Sequence, residues 1–214
     1  MRLTKLEHAT LVLEKPGGAV VIDPGKFTGE FDAPDELVAI VITHEHDDHW
    51  TPGHLARLAD AAPDARVLGP EGVVRAAAAQ GLVVEAVAPG DEIDAGPFRL
   101  RFFGGGHAVI HASIPVIDNL GVVVDETFVY AGDSFSVPDV EDVAVLAVPA
   151  NAPWMKIAES IDFVLEVSPR RAFGTHDALL SQPGKDLAHS RLGWATEQGG
   201  GTYLPLAAGD SIEL

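Results

Sequence analysis

Apolar and polar positions alternate along residues 5–14 (KLEHATLVLE), and an apolar run follows in 17–25 (GGAVVIDPG) after a Gly-Gly turn. A third run occupies 36–43 (ELVAIVIT), so the chain is expected to open as a β meander. In 51–62 (TPGHLARLADAA) the period changes to that of a helix, with Thr51 as N-cap, Pro52 in the first turn and Leu55 and Leu58 on one face. A strand at 66–70 (RVLGP) and a helix at 71–81 (EGVVRAAAAQG), closed by Gly81, come next. Strand patterns return in 83–90, 91–106, 119–126 and 127–133. A strand at 142–149 then leads to a helix in 154–169, a strand at 170–177, a helix in 184–200 and a final strand near 202–206. Two halves of this kind imply an α/β fold with two mixed sheets face to face and helices outside, a four-layer αββα sandwich. Its 214 residues fit one domain spanning 1–214.

Composition narrows the function. Apolar residues make up 47% of the chain, enough for a core, and disorder is excluded. No apolar run reaches the roughly 18 residues that span a bilayer, and the N-terminal residues lack a signal-peptide pattern, so a soluble, cytoplasmic protein is expected. Lys and Arg number 14 against 32 Asp and Glu, a formal charge of -18. Such a surface repels nucleic acid and anionic membranes, and neither is expected as a partner. Cysteine is absent, so a metal site has only His, Asp and Glu to draw on.

Residues 40–52 (IVITHEHDDHWTP) place a buried strand directly before His44, His46, Asp48 and His49. In an extended segment residues 44 and 46 point the same way and can converge on one ion, while Asp48 and His49 address a second after the chain turns. His107, Asp133 and His176 each fall where a predicted strand gives way to a loop. These seven side chains suffice for two metals if one carboxylate bridges, and their nitrogen and oxygen donors suit Zn, and also Mn or Fe.

The set THEHDDH, GGGH, YAGD and GTHD, in this order over roughly residues 3–213, resembles the metallo-β-lactamase superfamily of metal-dependent hydrolases. LEHATLVLE, THEHDDHWTP and VPANAPW further resemble the small single-domain branch related to ascorbate-6-phosphate lactonase, although Glu7 stands where that branch often has Gly. The resemblance implies that His44, His46 and His107 hold one divalent ion, that Asp48, His49 and His176 hold another, and that Asp133 bridges them. It implies hydrolysis by a water that the metals activate, since coordination can lower a water pKa from 15.7 to about 7. Two divalent ions, two carboxylates and a hydroxide sum to about +1, so a small-molecule substrate, ester, lactone or phosphorylated metabolite, can be anionic despite the acidic surface.

Asp48, His8 and His111 are the expected catalytic residues. His8 is read either as a proton donor or substrate contact beside the metals or as a strand histidine with a satisfied hydrogen bond. His111 is read either as a supporting or acid group or as a loop histidine without a role. Asp23 can support a ligand histidine or start the turn before Pro24 and Gly25. Asp177 can orient an imidazole or end a strand. His54 and His189 are expected to be structural, and Trp154 is read either as a wall of the substrate pocket or as a residue packed against the core. A phosphodiesterase or nuclease is the alternative function, and a di-iron redox enzyme follows it, disfavoured because His46 stands where such relatives typically carry Glu. A homo-oligomer is compatible with this reading.

Overall fold

The unbroken apolar runs become strands buried at every position, as in Gly18–Ile22, Leu120–Val124 and Val145–Pro149. Strands of this kind are covered on both faces, which is why they read as runs and not as alternations. A computed structural model describes residues 1–214. In chain order the first half comprises β1 (Arg2–Lys5), β2 (Leu11–Lys15), β3 (Gly18–Ile22), β4 (Leu37–Val41), α1 (Pro52–Ala61), β5 (Arg66–Gly69), α2 (Glu71–Ala78) and β6 (Glu85–Ala86). Then follow β7 (Glu92–Ala95), β8 (Phe98–Gly104), β9 (Leu120–Val124), β10 (Phe128–Tyr130), β11 (Val145–Pro149), α3 (Ile157–Val167), β12 (Arg171–Thr175), α4 (Gln182–Gln198), β13 (Thr202–Tyr203) and β14 (Ser211–Glu213).

One sheet has the order β14-β1-β2-β3-β4-β5-β6 and the other β13-β12-β11-β10-β9-β8-β7. Both are mixed, and the expected four-layer sandwich is the fold observed. Leu13, Ile22, Val41, Phe102, Phe128 and Tyr130 belong to the layer between the sheets. Leu55 and Leu58 of α1 and Val73 of α2 pack with Val21 and Ile40 on the outside of the first sheet. Phe163 of α3 and Leu192 of α4 pack with Leu146 and Val148 outside the second. No helix is long and apolar enough to cross a membrane.

The helix starting at Pro52 begins as expected, with Thr51 Oγ1 accepting from the His54 amide at 3.1 Å. Several expectations are corrected. The alternating stretch 5–14 is two strands, because His8 takes a positive φ of 59° and breaks the run between β1 and β2. The opening is not a pure meander, since β4 returns parallel to β3 through residues 23–36. Residues 83–90 contribute only the two-residue β6, and 91–106 fold into the hairpin of β7 and β8, with Gly96 at φ 56° in its turn. The helix expected from 154 begins at Ile157, as residues before it are drawn towards the site described below. The strand expected near 202–206 forms as the two-residue β13, but a further strand, β14 at 211–213, follows it and pairs antiparallel with β1 to complete the first sheet. Its short, partly exposed, polar sequence SIE carries little apolar periodicity to announce it.

Topology places the functional side chains. β10, β11 and β12 are mutually parallel, and β8 shares their direction because β9 is antiparallel to both β8 and β10. The loops after β8, β10 and β12 therefore emerge at one edge, the usual position for sites in sheets with parallel strands. The loop after β4 meets them there, since the Leu120 amide donates to Thr43 O at 2.9 Å.

Glycine is required where this edge is tightest. A Cβ on Gly25 would lie 1.7 Å from Asp48 O and 2.2 Å from its carbonyl carbon, so the DPG turn presses on the backbone that presents Asp48 and His49. Gly25→Ala is expected to destabilise the fold by at least about 1–3 kcal/mol. Gly53→Ala, in α1 with nothing within 4 Å of the added carbon, should instead stabilise it by about 0.5–1 kcal/mol. Denaturant unfolding of the two variants checks both signs.

Candidate metal centre

The loop after β4 delivers His44, His46, Asp48 and His49, and the loops after β8, β10 and β12 deliver His107, Asp133 and His176. All seven converge. His44, His46, His107 and Asp133 present donor atoms within 4.8 Å of one another, as do Asp48, His49, His176 and His8. Asp133 joins the groups: its Oδ2 lies 3.4 Å from His107 Nε2 and 3.2 Å from His176 Nε2, and its Oδ1 lies 3.2 Å from His49 Nε2.

A test of whether these residues fit a metal comes from their unpartnered atoms. His49 Nε2, His107 Nε2, His176 Nε2 and Asp133 Oδ1 are buried and have no hydrogen-bond partner. Orphaned buried polar atoms are costly, and four aimed at one small region require an occupant. The spacing agrees. His44 Nε2 and His46 Nδ1 are 3.1 Å apart, and His176 Nε2 and Asp48 Oδ2 are 3.3 Å apart. Nitrogen or oxygen donors around a common tetrahedral ion stand about 3.3 Å from each other.

The surrounding hydrogen bonds set the tautomers that ligation needs. His107 donates from Nδ1 to Ala108 O at 2.6 Å, and His176 donates from Nδ1 to Asn151 O at 2.6 Å. His49 donates from Nδ1 to Asp23 Oδ2 at 2.7 Å. Thr43 donates from its amide to Asp23 Oδ1 and from its hydroxyl to Asp23 Oδ2, both at 2.8 Å, which leaves Thr43 Oγ1 to accept from His44 Nδ1 at 3.0 Å. Each of these bonds occupies Nδ1 and turns Nε2 to the centre as the nitrogen that would ligate. Asp23, fully buried at φ 48°, thus holds His49 directly and His44 through Thr43.

His8 differs. Its Nδ1 accepts from the Ala178 amide at 3.3 Å, so the proton resides on Nε2 and is donated to Asp48 Oδ2 at 3.2 Å. The ring therefore orients Asp48 and presents no lone pair to a metal. It is buried and stacks 4.0 Å from the His176 ring.

Electrostatics follow the same arrangement. Burial lowers the pKa of His44, His46 and His8, which keeps these rings neutral. Burial opposes charge on Asp133 and Asp48 too, but histidines outweigh it and hold both below the usual carboxylate range: His49, His107 and His176 for Asp133, His176 and His8 for Asp48. Burial would also depress His176, but the carboxylates of Asp133 and Asp48 beside its Nε2 push it up to about 9. His49 is raised well above its ordinary value against the same burial, by Asp133 and Asp23.

His111 is not part of this cluster. Its ring is exposed and bonded to Ser113 Oγ at 2.8 Å within its own turn, on the loop that follows His107. Asp177 touches no imidazole and instead pairs with Lys5 and Lys185 at 3.3 Å each. His54 is structural, bonded to Thr28 O at 3.1 Å, and His189 is bonded to the Tyr203 hydroxyl at 2.7 Å. Trp154 is buried, and its indole donates from Nε1 to Asp133 Oδ2 at 2.8 Å. Thr43 and Asn119 were missed. Asn119 Oδ1 accepts from the Asp133 amide at 2.9 Å while its Nδ2 donates to Ala131 O at 2.9 Å. Trp154 and Asn119 lie 21 and 14 residues from Asp133, so only the position of Thr43 beside the HEHDDH run was a local signal.

Residues 2–176 match the family model described as Beta-lactamase superfamily domain. Protein Rv0786c of Mycobacterium tuberculosis is 37% identical over 197 residues, covering 90% of this chain and 91% of that one. Among solved structures, Igni18 of Ignicoccus hospitalis, titled a novel metallo hydrolase, superposes with a TM-score of 0.72 at 15% identity, over 99% of this chain and 97% of that chain. CmlA of Streptomyces venezuelae, titled a diiron β-hydroxylase, gives 0.77 at 15% identity over 100% of this chain, which spans 54% of CmlA. At these identities the two structures share the fold.

Removing the groups that orient the donors should weaken metal binding without removing a donor. Trp154→Phe and Asp23→Ala are each expected to lower affinity for zinc about 10- to 100-fold. Competition with a chromophoric chelator measures this, and His111→Ala should leave the affinity unchanged.

Proposed function

This chain belongs to the β-lactamase superfamily and carries the fold of its metal-dependent hydrolases, and on that premise we propose that it is a dinuclear enzyme hydrolysing a small ester, lactone or phosphorylated metabolite. The observation that carries the reading is the placement of Asp133 between two sets of histidines, of which His49, His107 and His176 turn buried, unpartnered Nε2 atoms towards it. His44, His46 and His107 would hold one divalent ion and Asp48, His49 and His176 the other, with Asp133 between them. Donors of nitrogen and oxygen without thiolate suit zinc first, and manganese or iron as well. When bound, such ions supply an activated water and polarise the oxygen of the scissile group.

The chain's own residues fix the geometry in which that chemistry occurs. Trp154 Nε1 and the Asn119 side chain hold Asp133 from two directions, one at its carboxylate and one at its amide. His8 donates from Nε2 to Asp48 Oδ2, which leaves Oδ1 as the freer oxygen of a carboxylate kept ionised by its neighbours. Asp48 is the only one of the two ligand carboxylates with substantial exposure, 19% against 3% for Asp133. It is therefore the group placed to take a proton at Oδ1 during attack and return it to the leaving group. His8 acts through Asp48.

Elemental analysis of protein purified without chelator should find about two divalent ions per chain, and chelation should abolish hydrolysis until zinc or manganese is restored. Asp133→Ala should lose both ions and all measurable turnover of esters, lactones and phosphodiesters. His46→Ala should keep one ion and lose at least about 100-fold in kcat/KM. Full activity in either variant at normal metal content would overturn the assignment, and two iron ions with no hydrolysis would favour redox chemistry.

A further inference from the structure

The loops that bear the ligands share two features that bear on substrate. Each of the three on the second sheet carries an exposed aliphatic side chain shortly beyond its ligand: Val109, two residues after His107, is 62% exposed; Val137, four after Asp133, is 42%; and Leu179, three after His176, is 60%. Four residues of chain reach at most about 14 Å, so each stands within that reach of a candidate ligand. The His107 loop adds Ile114 and Val116, 45% and 57% exposed, and folds back on itself, since the His107 amide donates to Ile117 O at 3.0 Å. Isolated exposed aliphatics are ordinary, but a set gathered on the loops of one site is a binding surface.

The second feature is charge. Residues 42–51, 105–119, 131–144 and 176–181, which contain every candidate ligand, include no Lys or Arg, whereas Glu45, Asp47, Asp118, Asp139, Glu141 and Asp142 lie among them. On the neighbouring loop Lys26 is committed to Asp47 at 2.7 Å. Enzymes that recognise phosphate or carboxylate groups do so with Arg, Lys or helix N-termini, and charge-assisted bonds of that kind have no donor on these loops.

We propose that the substrate is an uncharged carboxylic ester or lactone bearing an aliphatic chain, which lies against Val109, Ile114, Val116, Val137 and Leu179 while its acyl carbon reaches the metal centre. This rests on the hydrolase reading and selects among its substrate classes, against the anionic substrate expected from the charge of the centre. In the reaction water adds to the acyl carbon, the carbon–oxygen bond to the alcohol breaks, and the alcohol leaves with the proton carried by Asp48, giving acid and alcohol with no other reactant.

Two measurements test it. With metal-loaded protein and p-nitrophenyl esters from acetate to octanoate, kcat/KM should rise roughly two- to four-fold per methylene until the surface is covered. Isothermal titration with the uncharged, non-hydrolysed amides acetamide to octanamide should show affinity rising by a similar factor, and tighter binding of hexanamide than of methyl phosphate. The Val109→Ser/Leu179→Ser pair should flatten both series, with thermal unfolding confirming that it folds. Series that are flat in the wild type, or methyl phosphate binding more tightly, would overturn the proposal. So would a variant that keeps both slopes but changes the sedimentation coefficient, which would make these side chains a contact between copies. Amide affinity that climbs with length in a protein hydrolysing no ester would sink the hydrolase reading and leave aliphatic recognition standing. Ester hydrolysis indifferent to length would do the reverse.

Discussion

Over most of their area the two sheets meet through apolar side chains such as Leu13, Val41, Phe102 and Phe128, contacts without direction that fix separation and little else. At one edge they are joined by hydrogen bonds. Leu120 donates to Thr43 O at 2.9 Å, His176 donates from its amide to His8 O at 2.8 Å, and Ala178 donates to His8 Nδ1 at 3.3 Å. Lys5 of the first sheet, almost wholly buried, reaches Asp177 beyond the second. The centre needs this seam because its donors are divided: His44, His46, Asp48 and His49 belong to the first sheet's loop, and His107, Asp133 and His176 to the second's. A slide of one sheet by a fraction of an ångström would spoil the convergence, and directional bonds resist such a slide where packing alone does not.

Three of the eight non-glycine residues with positive φ lie along the same seam. His8, Asp23 and His176 have φ values of 59°, 48° and 58°, and Gly132, one residue before Asp133, is at 61°. A Cβ on Gly132 would stand 2.9 Å from Thr43 Cβ and 2.4 Å from Asn119 Oδ1, so the sheets approach there more closely than side chains allow. Non-glycine residues in this region persist only where surroundings over-determine them. Here the surroundings are named bonds: His8 is held at both ring nitrogens, Asp23 at both carboxylate oxygens and His176 at its amide and Nδ1. Local strain is thus spent on aiming side chains that a regular strand would direct elsewhere.

This division explains what could be read from sequence. The layers were legible because strands covered on both faces are continuous apolar runs, and the ligands because they stand where those runs end, His44 after Ile42 and Thr43, His176 after Thr175. What was hidden depends on contacts between distant residues. The break at His8 leaves the apolar alternation of 5–14 intact and appears only in φ. β14 is recruited by β1, whose free edge is 211 residues earlier at the Arg2–Glu213 pair, and its own sequence is polar. Trp154 resembles any core tryptophan until Asp133 is found at its Nε1, and His111, four residues from a ligand, resembles a site residue until its ring is found pointing to Ser113.

The electrostatics of the edge also give the acidic surface a physical context. Asp23, Asp48 and Asp133 stand among histidines at this edge, and for Asp48 and Asp133 burial disfavours charge while those histidines outweigh it. The two imidazoles that touch two of these carboxylates each, His49 and His176, are the ones whose affinity for a proton is raised, while His44 and His46, which face one another, remain neutral. Positive charge at the centre is therefore demanded by the carboxylates already there.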